Sequence, residues 1–256
     1  MAEINVSVNV GDAIKRLGDI GRQIPFVASL AINRTGQKVK AKEEHEIRDV
    51  FDRPTPYIQR SIFLKPSNKS NLTATVGIKD HAGKGIPATK VLDAEIAGGS
   101  RRLKRFEVAL RRVGALPNGY FIVPGAAAQI DQYGNIARKQ ITQILAFFKA
   151  FPEAGYKANS TDKTRAKLKR GSKKRIGVSY FVGRPNNGKS PLGIWQVQHQ
   201  GLFIGPGRPL RPIFIFVPHV IYQPIFDFKF VAESTVKKEF DGEFERAYRE
   251  VIGGLK

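Results

Sequence analysis

The chain has 256 residues, 41% of them hydrophobic, which is enough to bury a core as one large domain or two small ones. Lys and Arg number 43 against 22 Asp and Glu, a formal charge of +21 that points to anionic partners: nucleic acid, acidic protein surfaces or anionic membranes. There is no Cys, which excludes disulfide staples, thiolate metal sites and cysteine nucleophiles and fits a reducing cytoplasm.

At the N-terminus Ile4, Val6, Val8 and Val10 alternate with polar residues, the pattern of a half-buried strand and not of a signal peptide. Gly11 and Asp12 supply a turn and a helix cap, and Ile14, Leu17, Ile20 and Ile24 follow at helical spacing. A longer amphipathic helix is predicted over 25–51, with Pro25 in its first turn and a stripe of Val27, Leu30, Ala31, Val39, Ile47 and Val50. Strands are predicted at 61–65 and 72–78, joined by a hairpin-like loop. A Gly/Pro/Lys-rich loop at 80–89 precedes helices at 90–98 and 101–113. A short strand at 120–123 and a helix at 140–151 come next.

Residues 157–175 are polar and basic and read as a mobile arm or loop. Strand-like runs follow at 176–182, 193–199 and 213–217. The last of these is bounded by Pro212 and Pro218 and is far too short to span a bilayer. Val236, Phe240, Phe244, Tyr248 and Val251 then predict an amphipathic helix over 232–252. Strands and helices do not alternate regularly. The expected class is α+β, with antiparallel sheets flanked by N-terminal and C-terminal amphipathic helices and a basic loop or arm. The expected division is 1–79, an inserted region 80–175, and 176–256, with the last segment able to join the first in one domain.

One segment matches a chemical motif. Gly183 to Ser190 fits the phosphate-binding pattern G-x-x-x-x-G-K-[ST], with Lys189 and Ser190 in the roles of phosphate and magnesium ligands. The pattern needs a helix opening at its end. Pro191, Leu192, Gly193 and the β-prone residues after them do not sustain one, so a hairpin turn is the expectation. His45, His81, His199 and His219 are scattered, without helical pairing. Glu43, Glu44 and Glu46 sit among lysines and read as solvated ion pairs. No nucleophile has an evident base. No catalytic, cofactor or metal site is expected, and no enzyme activity.

The charge gathers in two clusters. The first is Arg101, Arg102, Lys104, Arg105, Arg111 and Arg112, fanned around a helix whose apolar stripe is Leu103, Phe106 and Leu110. The second is Lys157, Lys163, Arg165, Lys167, Lys169, Arg170, Lys173, Lys174 and Arg175. Both are candidates for contact with an acidic partner or with DNA phosphates. The second has no interleaved aromatics, so it would touch backbone and not stack bases.

Three segments resemble structural proteins of tailed bacteriophages. Ala28 to Thr35, which contains Ala31-Ile32-Asn33-Arg34 and runs into a charged helix, is similar to the opening of the minor tail protein Z family. Residues 124–136 followed by 140–145 look like a segment met in phage morphogenesis proteins. The turn from Gly207 to Pro212, leading through apolar strand residues to a terminal helix, resembles tail-completion and head–tail connector proteins. The resemblance implies a non-enzymatic protein of the phage neck or tail, made in the host cytoplasm and acting in the virion. Its partners would be other copies of itself in a ring, neighbouring neck or tail proteins, and packaged DNA, with no membrane. Proteins of this kind need interface surface, and the aromatics Phe203, Phe214, Phe216, Phe226, Phe228 and Phe230 divide between core and subunit interface on this reading. The alternative reading is a basic nucleic-acid-binding accessory protein.

Overall fold

A computed structural model describes residues 3–7, 23–83, 85–152, 157–173, 175–199 and 209–252. The predicted helix around Ile14, Leu17 and Ile20 lies outside the described residues, as do Lys174, Phe203 and the 207–208 turn. The chain forms two units, 1–99 with 222–256 and 100–221. The chain crosses between them in two short strands, β4 (Gly99–Ser100) and β9 (Ile221–Tyr222). The expected breaks at 79/80 and 175/176 are therefore replaced. Of the strands after residue 176, Leu210–Val217 pairs with residues 121–124 and with Gly193–His199, which ties them to the inserted unit and leaves only the terminal helix with the N-terminal elements. The class is α+β with antiparallel sheets, flanked by long N- and C-terminal helices.

Unit 1 contains β1 (Glu3–Ser7), α1 (Ile24–Val50), α2 (Pro56–Gln59), β2 (Ile62–Lys65), β3 (Thr73–Ile78), α3 (Ala88–Ala97) and, on re-entry, α7 (Phe228–Ile252). Its sheet runs β1-β3-β2, antiparallel throughout, with Ile4 opposite Val76 and Ile62 opposite Ile78. α1 starts at a proline whose fixed φ suits a first turn and ends where Phe51 turns extended ahead of Pro54. Val39 and Ile47 of α1 meet Ile62, Val76 and Ile78 of the sheet, Phe226 just ahead of α7 and Phe228 at its start. α1 and α7 are antiparallel: Arg34 pairs with Glu250 at 2.6 Å and Lys38 with Glu239 at 2.6 Å. Between them Ala31 and Ala247 are wholly buried, small side chains that let the helices close up while Phe240, Phe244 and Tyr248 flank the contact. α7 begins four residues before its predicted start because the Asp227 carboxylate accepts the Phe230 N–H at 3.0 Å and caps it.

The quoted Ala31-Ile32-Asn33-Arg34 segment has a structural role at every position. Ala31 and Ile32 are in the core, and Arg34 pairs with α7. The Asn33 amide exchanges two hydrogen bonds with the Ser67 backbone, accepting from its N–H at 2.7 Å and donating to its carbonyl at 3.1 Å. That fixes the β2–β3 hairpin loop on α1, as a rung of sheet ladder would.

Unit 2 contains α4 (Arg105–Arg112), β5 (Phe121–Pro124), α5 (Arg138–Phe147), α6 (Asp162–Arg170), β6 (Gly177–Gly183), β7 (Gly193–His199) and β8 (Leu210–Val217). The sheet order is β5-β8-β7-β6, all antiparallel, with a bulge where Trp195 meets Pro212. That bulge accommodates a proline inside a paired strand. Phe214 anchors the core with Leu110, Leu116, Ile122, Ile144, Tyr180 and Ile194. Phe106 stacks at 5.6 Å on Phe214, and Phe147 meets Tyr180 edge-on at 5.3 Å. The helix expected at 101–113 is shorter, because residues 101–104 are drawn out of it into the network described below.

The stretch expected as a mobile arm contains a helix, α6. Thr161 caps it by accepting the Thr164 N–H at 3.1 Å, and Gly171 ends it at φ +74°. The end of α6 lies directly on the start of β6. A Cβ at Gly177 would overlap the Lys169 carbonyl oxygen, and one at Gly171 would fall 2.5 Å from the Gly177 nitrogen. Gly177→Ala is expected to lower stability by roughly 1–3 kcal/mol, the cost of overpacking against rigid backbone. A urea titration of the variant beside the parent checks this. Gly114→Ala, with open space around its Cβ and only its φ of +73° against it, should cost clearly less.

Candidate anion-binding surface

The first basic cluster is largely occupied within the fold. The Arg101 guanidinium makes a two-pronged pair with Glu107, Nη1 to Oε2 at 2.7 Å and Nη2 to Oε1 at 2.6 Å. Glu107 is fully buried and Arg101 nearly so. The same carboxylate accepts the Lys104 N–H at 2.6 Å and the Ile122 N–H at 2.7 Å. Arg101 also donates to the Ile122 carbonyl at 3.1 Å and lies over the Phe121 ring. Burial pushes the Glu107 carboxyl upward, but the Arg101 hydrogen bonds and the two backbone N–H groups outweigh it and hold it below the ordinary range. Arg111 donates to the Tyr120 carbonyl at 2.8 Å and Arg112 to the Ala150 carbonyl at 3.1 Å. Arg102, Lys104, Arg105 and Arg112 are exposed. Arg101 is thus a buried structural cation and Arg111 is half-buried on a loop carbonyl, while Arg102, Lys104, Arg105 and Arg112 keep the geometry of a contact surface.

The Arg101–Glu107 pair has a second effect. β5 is an edge strand, paired with β8 alone. Ile122 sits in its middle, opposite Phe216, and has both its N–H and its carbonyl engaged by these two side chains. An edge with its bonding groups occupied offers no ladder to another strand.

The second cluster is different. Lys163, Lys167, Lys169 and Arg170 project from α6, exposed, with Lys173 and Arg175 exposed just beyond it. Arg165 is the exception: it pairs with Asp162 at 3.0 Å and covers Phe147. The basic side chains in the last turn also oppose the negative end of the helix dipole. Only Leu168 of α6 reaches the core. Lys167 and Arg175 line a groove of about 770 Å³ together with Lys139 of α5, a cation that sequence reading passed over. Its signal was faint: a single lysine four residues from Gln143 on a helix read for its apolar face.

The phosphate-loop match is a hairpin turn. Gly183 pairs with Gly193 across the base of β6 and β7. Asn186, Asn187 and Gly188 all take positive φ, and the Lys189 and Ser190 N–H groups bond to the Asn186 and Pro185 carbonyls at 3.1 and 3.2 Å. Those amides close the turn and do not converge on a ligand. His199 bonds Ser179 across the ladder at 2.7 Å, and His45 pairs with Asp49 at 2.8 Å. Among the described residues no three His, Asp or Glu side chains gather to hold a metal, and no helix is long and apolar enough to cross a membrane.

The aromatic cluster also divides. Phe214, Phe216, Phe226 and Phe228 are core, whereas Phe230 is 67% exposed. Comparison with protein-family models, curated proteins and solved structures finds no match to any of them.

Proposed function

We propose that the protein is a structural component of a tailed-phage neck or tail that assembles into a ring, completing the tail or connecting it to the head. The observation that carries this reading is apolar surface left in solvent on a chain of charge +21: Phe230 stands 67% exposed on α7 and Ile221 71% exposed on β9. An exposed aromatic on a long amphipathic helix suits the desolvated centre of a subunit interface. The positive charge keeps free subunits apart until a complementary neighbour is present. The resemblance of residues 28–35 and of the C-terminal pattern to tail and connector proteins supports the same reading. In it the subunit waits in the host cytoplasm and functions in the virion.

Sedimentation over a range of protein concentrations is the test. Oligomers should appear as concentration rises, and Phe230→Ser should weaken association by about tenfold or more while leaving the thermal midpoint nearly unchanged. A protein that stays monomeric at high concentration and is missing from purified particles would sink the proposal.

A second reading, nucleic-acid binding, is favoured by the exposed cations of α6. It requires affinity for duplex DNA that falls steeply and log-linearly with salt. Binding that varies little between low and physiological salt excludes it.

A further inference from the structure

The groove beside α6 has features beyond its charge. Lys139 stands on α5, Lys167 on α6 and Arg175 on the approach to β6, so three separate elements deliver cations to one concavity. None of the three is paired with a carboxylate among the described residues, and no acidic side chain lines the groove. Its floor is aliphatic, made by Leu168, Ile176 and Val178, and Ile176 is 47% exposed there. Among the described residues no aromatic lines it.

The walls are set by backbone. Thr164, Lys167, Leu168 and Gly171 recur at helical spacing and turn one face of α6 to the groove, while Lys139 and Gln143 do the same on α5. Gly171 and Gly177 bring the end of α6 against the start of β6 with no room for a side chain. Ser172 and Arg175 pair through both backbone N–H groups at 2.8 and 3.1 Å, which fixes Arg175 at the rim. The concavity is therefore preorganised, and that lowers the entropic cost of filling it.

We propose that this groove binds an extended acidic peptide segment whose aliphatic side chains alternate with its carboxylates, presented by a neighbouring protein of the assembly. The cations match the carboxylates and the aliphatic floor matches the intervening side chains. A nucleic-acid strand would leave that floor against sugar and phosphate and would find no ring to stack on. The identity of the donor as another assembly protein rests on the ring reading above; the chemistry of the groove does not.

Fluorescence anisotropy tests this with the full-length protein and a short fluorescein-labelled peptide alternating Glu and Leu. Saturable binding is expected. The double variant Lys167→Glu/Arg175→Glu and the single variant Ile176→Asp should each weaken it by about tenfold or more, close to 1.4 kcal/mol per tenfold. These positions are exposed, so thermal midpoints near that of the parent will show that the variants fold. A Glu/Ser peptide of equal charge should bind clearly more weakly. Equal binding of that peptide, tighter binding of an oligothymidylate that displaces the Glu/Leu peptide, or an unaffected Ile176→Asp variant would each overturn the proposal. Sedimentation of the same variants reports ring formation separately, so a failed groove and a failed ring are told apart.

Discussion

Glu107→Leu is expected to be among the most destabilising single substitutions in unit 2, at roughly 3–5 kcal/mol. The carboxylate receives four hydrogen bonds, two on each oxygen: Arg101 Nη1 and the Lys104 N–H on one, Arg101 Nη2 and the Ile122 N–H on the other. Leucine fills much of the volume but leaves Arg101 as a buried cation with two backbone donors orphaned beside it. Breaking one side of a buried pair costs more than the pair itself contributes. The double variant Arg101→Met/Glu107→Leu should therefore recover part of the loss, a coupling that a double-mutant cycle in urea measures. Amide exchange should show Ile122 losing protection first in the single variant. The pH dependence has a definite sign. The folded carboxyl titrates below its unfolded value, so its contribution is complete above the ordinary carboxylate range and is lost as pH falls through the folded value. Destabilisation that is absent, or a double variant no better than the single, would show that the network is replaceable.

The second large effect has the opposite sign. Glu43 was expected as a solvated member of an ion-paired helix face. It is instead wholly buried on α1, on the same stripe as Val39 and Ile47, and neither carboxylate oxygen has a hydrogen-bond partner. Burial, with smaller repulsion from Glu46 and Asp227, pushes its carboxyl up to about 8. A group whose folded pKa lies above its unfolded one binds its proton more tightly in the folded state. Stability is then greatest below the unfolded value of 4.5 and falls as pH rises from there to about 8, where the cost levels off. Glu43→Met should stabilise unit 1 by about 2–3 kcal/mol at neutral pH, since it replaces an unpaired buried carboxyl by an apolar chain of similar length. Glu43→Gln should remove the pH dependence with a smaller gain. Denaturation midpoints of the three proteins from pH 4 to pH 9 decide it. A parent whose stability does not fall across that interval would show that Glu43 is hydrated or paired.

Much of the fold could be read from sequence wherever one face of an element is apolar. α1 and α7 carry apolar stripes at three- and four-residue spacing, and β3 and β7 are placed by alternation and by their turns. α6 was missed for the converse reason. Six of its nine residues are charged (Asp162, Lys163, Arg165, Lys167, Lys169 and Arg170), and only Leu168 reaches a core. Its readable signals were the caps, Thr161 in front and Gly171 behind. The candidate surface was half legible. A run of arginines shows that charge is present but not where each guanidinium points. Arg101 is withdrawn from the surface by Glu107, six positions later, while Lys139 is added by packing between elements that sequence cannot relate. Glu43 has the same origin: its neighbours in sequence are charged, but the helix turns it onto the buried stripe of Val39 and Ile47.

The pairing of α1 with α7 also sets an order of events during synthesis. Unit 2 is one continuous stretch, 100–221, and every strand of its sheet leaves the ribosome before α7 does. α1 by contrast must wait for a helix that follows the whole of unit 2. On the ribosome the inserted unit can close first, while the apolar stripe of α1 stays uncovered. That interval of exposure, and not the finished fold, is where the chain is most open to aggregation or to capture by a chaperone.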